Sequence, residues 1–389
     1  MSEWKTVRLG DMLKTSSGGT PSKKNNDYYH NGNIPWILSG DISQGHITKA
    51  NNFITQLGLD NSSAKFFPKG TVLVAMYGAT VGQVGILDIE ATTNQAICGI
   101  FPDNHFSTNY LFYFCKSQKE HLLNLAIGGA QPNISQEIIK NLQIPLPPLE
   151  TQEQIATQLD KCTTIIAKYK QMLEKYDMLI KSRFIEMFGN PQCISNNWKV
   201  NPLSDYCIVN PKKSELGPIP DDYELSFIPM QSVSENGDVD TSSIKHYKDV
   251  KTGFTYFREN DVLFAKITPC MENGKGGVAR KLKNQIGFGS TEFLVLRPIE
   301  TISNSEWIYR LTTFKTFRKD AENNMTGSAG QRRTPKEFFD KYKVGLPPLE
   351  LQQQFAAFVQ QIDKSKFAVQ KSLEKTEILY KSLMQAYFG

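Results

Sequence analysis

The chain has 389 residues, 40% of them hydrophobic and 21% charged, a composition typical of a folded globular protein and not of a disordered one. At about 100–200 residues per domain, this length predicts two to four domains. The net charge is +5, from 44 Lys and Arg against 39 Asp and Glu, which excludes a protein that binds nucleic acid by overall charge alone. Any basic patch must therefore be local.

The sequence contains no run of 18 or more uncharged apolar residues, and its N-terminal residues lack the basic and apolar segments of a signal peptide. A cytoplasmic protein is therefore expected. The six cysteines contain no C-x-x-C pair and the five histidines show no zinc-type spacing, so neither a disulfide framework nor a metal site is predicted.

Short β-rich runs bounded by Gly, Pro and Asn alternate with aromatic-rich helical segments, which indicates mixed α and β structure. The predicted strands are 34–38, 71–78, 84–87, 261–267 and 292–296. The predicted helices at 109–126 and 306–323 carry aromatic side chains at helical spacing, which favours a buried core over a base-stacking platform.

An internal repeat organises the chain. Residues 144–189 align without a gap with residues 344–389, and 16 of the 46 aligned positions are identical, including LPPLE-x-Q-x-Q near the start of each copy. A fainter echo joins the Trp-Lys pairs at 4–5 and 198–199. The resulting pattern A-B-A′-B′ predicts four segments. Their predicted boundaries are 1–148, 149–190, 191–346 and 347–389.

Each repeated segment predicts one long helix, because apolar or ring residues follow a Pro pair at alternating steps of four and three. A helix of about 40 residues is ~60 Å long, longer than a domain of this size is wide. The two apolar seams are therefore expected to pack on each other, antiparallel; the alternative is a helix packed on its own globular core. The seam residues are Ile155, Leu159, Ile166, Leu173 and Ile180 in the first copy and Phe355, Val359, Ile362, Leu373 and Tyr380 in the second.

Patterns of catalysis are weak in this sequence. It has no nucleotide-binding glycine motif and no amino-methyltransferase tetrapeptide, in which Asn or Asp precedes Pro-Pro and an aromatic residue. Pro220-Asp221 followed by Asp249-x-Lys251 matches a metal-dependent nuclease pattern in letters. So loose a pattern often arises by chance, and a polar loop is the preferred interpretation. No catalytic residue is predicted.

Two Gly-rich polar loops, at 128–135 and 327–334, lie just before the two LPPLE motifs. Exposed backbone amides beside Gln, Asn, Ser and Arg suit contact with phosphates and base edges. Basic stretches at 22–26 and 275–283 are further candidates, although each alone is more typical of a solvated loop.

Together these motifs resemble the DNA-specificity subunit of type I restriction-modification systems, over essentially the whole chain. The resemblance rests on the two LPPLE helix starts, SGGTPS at 17–22 with IPWILSGDI at 34–42, YGATVG at 77–82 with TNQA at 93–96, and TGSAGQ at 326–331. The second module departs from the pattern, because it has KITPC at 266–270 in place of the YGAT loop.

The resemblance implies an α+β fold, in which two mixed α/β target-recognition domains are separated by two long antiparallel coiled-coil helices with pseudo-twofold symmetry. Each domain would read one half of a bipartite, asymmetric site in double-stranded DNA. No catalysis and no cofactor are implied on this chain. The implied partners are two methyltransferase subunits that bind S-adenosylmethionine, and restriction subunits that use ATP and Mg.

The expected DNA-contacting residues follow the motifs of both modules. In the first module they are Ser22, Lys23, Lys24, Tyr77, Gly78, Thr80, Asn94, Gln95, Gly129, Gln131 and Asn133. In the second module they are Lys266, Thr268, Lys275, Arg280, Ser290, Thr291, Gly330, Gln331, Arg332 and Arg333. Two other classes stay open: a stand-alone DNA nuclease or methyltransferase, and a non-catalytic coiled-coil scaffold without DNA preference.

Overall fold

The computed structural model describes residues 4–128, 132–190, 198–328 and 330–389. The chain forms two compact units. The first unit comprises Met1–Lys170 with Lys371–Gly389, and the second comprises Gln171–Gln370. Each unit therefore contains one variable module and a part of both repeated segments.

The first unit contains two sheets and a two-stranded ribbon. Its strands are β1 (Thr6–Arg8), β2 (Thr15–Ser17), β3 (Ile34–Ile37), β4 (His46–Ile47), β5 (Asn52–Ile54), β6 (Phe66–Phe67), β7 (Val72–Ala75), β8 (Val84–Leu87), β9 (Ala91–Thr93), β10 (Ile97–Ile100) and β11 (Gln143–Pro145). Its helices are α1 (Leu9–Met12), α2 (Gln56–Asp60), α3 (Thr108–Ser117), α4 (Lys119–Asn124) and α5 (Gln136–Lys140), and it holds the start of α6 (Leu149–Phe188). The sheet orders are β2-β10-β7-β8-β4 and β5-β3-β9-β6, and β1 pairs with β11.

The second unit is built in the same way. Its strands are β12 (Val200–Pro202), β13 (Cys207–Val209), β14 (Glu224–Ile228), β15 (Ile244–His246), β16 (Thr255–Arg258), β17 (Val262–Ala265), β18 (Gly276–Val278), β19 (Ile286–Gly289), β20 (Phe293–Pro298) and β21 (Lys343–Gly345). Its helices are α7 (Tyr247–Val250), α8 (Ser305–Thr313), α9 (Lys315–Asn323) and α10 (Glu337–Lys341), and it holds the start of α11 (Leu349–Phe388). The sheet orders are β13-β20-β17-β18 and β15-β14-β19-β16, and β12 pairs with β21.

The two units share the same strand order, except that β4 adds a fifth strand to one sheet of the first unit. In the four-stranded sheet β5-β3-β9-β6 the single parallel pair is β3 with β9, and its counterpart in the second unit is the parallel pair of β14 with β19. The ribbons also correspond, since Val7 faces Ile144 in one and Asn201 faces Val344 in the other. The mixed α/β fold class and the A-B-A′-B′ repeat predicted from the sequence are therefore confirmed.

Two helices of 40 residues, α6 and α11, begin immediately after the Pro pairs, as predicted. Within the second unit their contacts run antiparallel. Asp177 pairs with Lys366 at 2.6 Å, and the ring of Phe184 packs against Phe355 with centroids 5.5 Å apart. Residue numbers thus rise along α6 as they fall along α11.

The first unit shows the same direction of pairing. Lys170 pairs with Glu377 at 3.1 Å, and the Tyr387 hydroxyl donates to the Gln158 side chain at 2.7 Å. The antiparallel arrangement of the helices predicted from the sequence therefore holds in each unit. Across the described residues, no helix is both long and apolar enough to cross a membrane.

All ten predicted seam residues are buried or half-buried. In the first unit Ile155 and Leu159 share one core with Phe388 and with the sheet residue Val74. In the second unit Phe355 belongs to a core that includes the α8 helix. The seams thus pack on the other helix of the unit and on the module core together, so both alternatives raised by the sequence apply.

Candidate nucleic-acid interface

In the first unit, the loop that follows β7 pairs with the end of the Gly-rich loop. The Gly78 amide donates to the Pro132 carbonyl at 2.8 Å, and the Ile134 amide donates back to the β7 loop at 2.9 Å. These bonds hold Tyr77 beside Asn133, and both residues are exposed. Gly78 has a φ of 68°, in the left-handed region, which explains the glycine after Tyr77.

A third loop, TNQA at 93–96, is fixed at the same place. The Met76 amide donates to the Ala96 carbonyl at 2.8 Å. The side-chain carbonyl of Gln95 accepts a hydrogen bond from the Thr20 hydroxyl. We call this meeting of the TNQA, YGAT and Gly-rich loops the first junction.

The SGGTPS motif lies against the first junction. A Cβ atom on Gly18 or Gly19 would come within 2.1 or 2.2 Å of its nearest neighbour, so only glycine permits this approach. The next side chains along the chain, Ser22, Lys23 and Lys24, are all exposed. The motif thus begins with a tightly packed turn at Gly18 and Gly19 and is followed by an exposed basic segment.

The second unit builds an equivalent second junction from different residues. The Thr268 amide donates to the Arg332 carbonyl at 3.0 Å, and the Thr334 amide donates to the Lys266 carbonyl at 2.9 Å. The Lys266 amide in turn donates to the Glu292 carbonyl at 2.9 Å. The KITPC loop therefore occupies the position of YGAT, and the Ser-Thr-Glu segment at 290–292 occupies that of TNQA.

The second junction carries a network of ion pairs. The Arg333 guanidinium donates to both carboxylate oxygens of Glu292, from Nε at 2.9 Å and from Nη2 at 2.8 Å. Arg332 lies farther from its acids, 3.7 Å from Glu272 and 3.8 Å from Glu322. The hydrogen bond from Arg333 lowers the pKa of Glu292, and the same bond raises the pKa of Arg333. Both groups are therefore charged at neutral pH.

The structure brings most predicted site residues to the two junctions. At the first junction or beside it lie Ser22, Lys23, Lys24, Tyr77, Gly78, Thr80, Asn94, Gln95 and Asn133. At the second junction or beside it lie Lys266, Thr268, Lys275, Ser290, Thr291, Gly330, Gln331, Arg332 and Arg333. Gly129 and Gln131 lie outside the described residues.

Arg280 does not join the second junction. Its guanidinium donates to Glu306 of α8 at 2.6 Å, and the residue before it hydrogen-bonds to Asp261 at the start of β17. Lys266 instead follows the end of β17. The basic stretch predicted at 275–283 is thus divided, because Lys275 lies by the junction and Arg280 lies at the opposite end of the strand.

Sequence reasoning missed the acidic residues of the second junction, Glu292 and Glu272. The motifs indicate donors to phosphate and to bases, whereas these acidic residues accept hydrogen bonds from such donors. The available signal was positional: Glu292 comes three residues after β19, as Ala96 of the TNQA motif comes three residues after β9.

The repeated glutamine of the LPPLE-x-Q motif was also unassigned. Gln152 is fully buried, and its side-chain carbonyl accepts from the amide of Ser107, the N-cap of α3, at 2.9 Å. Gln352 does the same with Asn304, the N-cap of α8, at 2.9 Å. Each glutamine also donates to a carbonyl of its own Pro pair, so it links the start of a long helix to the module helix beside it.

The nuclease-like letters form a surface salt bridge. The Lys251 ammonium lies 2.9 Å from Asp221, and both side chains are exposed. Lys251 and Asp221 therefore form an ion pair with each other at the surface, as expected for a polar loop. Within the described ranges, no three His, Cys, Asp or Glu side chains lie together as a metal site would require.

Comparison with known proteins decides the family. A family model described as the type I restriction modification DNA specificity domain matches residues 1–175 and again residues 195–379. The chain belongs to this family. The two matches correspond to the two halves of the repeat, and the resemblance inferred from the motifs is confirmed.

Relatives in this family are specificity subunits of type I restriction enzymes. The EcoAI specificity subunit of Escherichia coli is 35% identical over 247 residues, which are 62% of this chain and 38% of that protein. The EcoEI subunit of the same species is 32% identical, and the match covers 37% of its length. The chain thus spans well under half of these two relatives. The MjaIX subunit of Methanocaldococcus jannaschii is 26% identical over 92% of this chain and 86% of its own length.

Two solved structures share the fold. The S subunit of a type I restriction-modification system from M. genitalium has a TM-score of 0.57 at 15% identity, covering 100% of this chain and 96% of that one. A chain from a study of complex assembly and conformational transition in a type I R-M system has a TM-score of 0.59 at 18% identity, covering 100% of this chain and 98% of that one. At these identities the likeness concerns the fold.

Proposed function

We propose that this family member is the DNA-specificity subunit of a type I restriction-modification complex, without catalytic activity of its own. Its target-recognition domains, predicted at 1–148 and 191–346, each read one half of a bipartite, asymmetric site in double-stranded DNA. The observation that carries the proposal is the duplicated junction. Two modules with little sequence in common present exposed polar and basic loops through the same backbone hydrogen bonds.

The chemistry of the two junctions supports an asymmetric site. The first carries Asn94, Gln95 and Asn133, and the amides of the exposed Gln95 and Asn133 can both donate and accept hydrogen bonds. The second presents Arg332 and Arg333, which are permanent cations. Asn and Gln side chains match the hydrogen-bonding edge of adenine, and Arg matches that of guanine. Contacts to phosphate position the protein on the DNA but do not distinguish bases. Two different half-sites follow from these differences.

The long helices are proposed to set the gap between the half-sites and to dock two methyltransferase subunits. Besides their buried seams they carry exposed apolar side chains, which are Met172, Met178, Leu179, Ile185 and Phe367 in the second unit and Leu149, Ile165, Ile378 and Leu379 in the first. Exposed apolar residues concentrated on two helices indicate a surface that a protein partner covers. S-adenosylmethionine is assigned to the methyltransferase subunits, and ATP and Mg to restriction subunits that join them.

The test uses the full chain assembled with its methyltransferase subunits. This complex is incubated with a pool of random-sequence double-stranded DNA, and bound molecules are selected and sequenced. We expect two short conserved sequences at a fixed spacing, and no enrichment by the methyltransferase subunits alone. A complex without sequence preference would favour the scaffold class, and cleavage or methylation by the purified chain would favour an enzyme.

A further inference from the structure

We propose that Glu292 is a positioning residue that presents the Arg333 guanidinium to a guanine in the second half-site. This inference rests on the proposed function, because it assigns a base to one residue of the second junction. Three observations carry it: the bidentate geometry of the pair, its anchoring by the backbone, and its absence among the described residues of the first junction.

Glu292 and one backbone carbonyl accept hydrogen bonds from three N–H groups of the Arg333 guanidinium. Nε and Nη2 of Arg333 donate to Glu292 at 2.9 and 2.8 Å, and Nη1 donates to the Gln331 carbonyl at 3.0 Å. A guanidinium has five N–H groups. Among the hydrogen bonds of the described residues, one N–H on Nη1 and one on Nη2 therefore remain. The end-on pair of a guanidinium, one N–H from each Nη, matches O6 and N7 of guanine in the major groove.

The backbone holds both partners of the pair in place. Arg333 exchanges two hydrogen bonds with Thr326, at 2.8 and 3.0 Å, which closes the Gly-rich loop. The Glu292 carbonyl accepts from Lys266, and the Glu292 amide donates to the Ser290 hydroxyl at 3.2 Å. The arginine has therefore already lost much of the side-chain freedom that it would otherwise lose on binding DNA.

The neighbouring arginine shows the opposite situation. Arg332 lies 3.7 and 3.8 Å from its nearest acids, beyond hydrogen-bond distance, so its guanidinium is loosely oriented. A loosely oriented cation suits phosphate, which is attracted by charge. The charge of Arg333 is offset by Glu292, which weakens its attraction to phosphate and leaves its donor geometry to act on a base.

Among the described residues of the first junction, no equivalent pair is present. Ala96 stands where Glu292 stands, and Asn133 stands where Arg333 stands, because each accepts or makes the corresponding backbone bonds. The guanine contact is therefore expected in the second half-site alone. This restriction gives the test an internal reference, since the first half-site is read by the same molecule in the same experiment.

The experiment uses the complex with methyltransferase subunits and the duplex selected from the random pool, with each base pair of both half-sites substituted in turn. Glu292→Gln removes the charge while keeping the side-chain shape. We expect discrimination at one G·C pair of the second half-site to fall by roughly 5- to 150-fold, the effect of one bidentate contact. Arg333→Lys should lose preference at the same base pair, because lysine keeps the charge and lacks the fork. The other base pairs should keep their preferences.

Two further variants separate this role from a general effect of charge. Glu322→Gln removes the same charge beside Arg332 and leaves the Glu292–Arg333 pair intact, so base preferences should not change. In the double variant Glu292→Gln/Arg333→Lys the losses should not add, because both changes remove one contact.

The inference is overturned if Glu292→Gln retains the parental preference at every G·C pair of the second half-site. It is also overturned if this variant weakens binding to all sequences alike. A parental complex that selects no sequence would instead contradict the proposed function, so the two failures are distinguishable.

Discussion

At the scale of single residues, the arginines of the second unit divide into those that build the fold and those that face solvent. Arg297 is buried and pairs with the buried Asp261 through Nε and Nη2, at 2.8 and 2.7 Å. Arg318 is also buried and donates to backbone carbonyls, including that of Met271 at 2.9 Å, so it holds the loop after KITPC. Arg332 is partly exposed. A count of basic residues therefore overstates the charge available to DNA.

Arg332 is expected to contact phosphate. Arg332→Ala should weaken binding to specific and unrelated duplexes by a similar factor, and should lower the slope of log affinity against log salt by about one. The slope is measured by titrating the methyltransferase-bound chain with DNA at several salt concentrations. Lys319→Ala, an exposed cation of α9 that pairs with Glu322, is the matched control. A change confined to one base pair would show that Arg332 reads a base.

The buried motif glutamine is expected to stabilise the second unit. Gln352→Ala leaves the Asn304 amide and two carbonyls without their partner, and each unsatisfied buried group costs about 1–3 kcal/mol. We expect the free energy of unfolding of this unit to fall by about 2–4 kcal/mol. Gln354→Ala, at an exposed position of the same motif, should change it by less than about 0.5 kcal/mol. Chemical denaturation monitors both variants, and equal midpoints would contradict the assignment.

At the scale of elements, the long helices and most residues of the junctions could be predicted, but the contacts that hold the junctions together could not. A helix is recognised from the spacing of apolar residues close together in the sequence. The Pro pairs and the alternating steps of four and three between apolar residues therefore predicted α6 and α11. The junctions depend on backbone hydrogen bonds between segments far apart in the sequence, and such bonds do not depend on side-chain identity. KITPC and YGAT therefore occupy the same position without sharing a sequence pattern. The ion pair of Glu292 with Arg333 could not be predicted either, because it joins side chains from two segments far apart in the sequence.

The seam assignment predicts different outcomes for two leucines of α11. Leu373 is buried in the first unit, at 5% exposure, whereas Leu379 is 51% exposed. Leu373→Asp places an unpaired charge in an apolar seam and should lower the free energy of unfolding by at least about 3 kcal/mol. Leu379→Asp should leave stability within about 0.5 kcal/mol and weaken association with the methyltransferase subunits. Denaturation and size-exclusion chromatography measure the two effects. A Leu373→Asp chain of unchanged stability would contradict the seam.

At the scale of the whole molecule, the second half of α11 packs into the first unit. The ring of Phe388 packs against Tyr110 of α3 with centroids 5.2 Å apart, and Trp4 stacks on Tyr387 at 6.5 Å. Residues 371–389 thus belong to the core of the first unit, although they follow the second variable module in the sequence. Each unit depends on both helices, so a change in helix length must be made in both of them.

The proposed role of the helices in setting the gap can be tested by lengthening both. One heptad inserted after Lys168 and a matched heptad after Ala368 keep each apolar seam in register. The insertion adds ~10 Å to each helix, at 1.5 Å per residue, which corresponds to ~3 base pairs of DNA at ~3.4 Å each. An insertion of three residues in each helix is the control, because it shifts the seam out of register and should destabilise the chain.

The lengthened complex should select a gap about three base pairs longer than the parental gap. It should also bind more weakly, since three base pairs rotate one half-site by about a third of the ~10-base-pair turn relative to the other. The measurement is selection from a DNA pool with both half-sites fixed and a randomised gap of variable length, using the complex with methyltransferase subunits. Because the junctions are untouched, the half-site sequences should stay the same and only their spacing should change. If the lengthened protein still selects the parental gap, the spacing is set elsewhere in the complex and the role assigned to the helices is wrong.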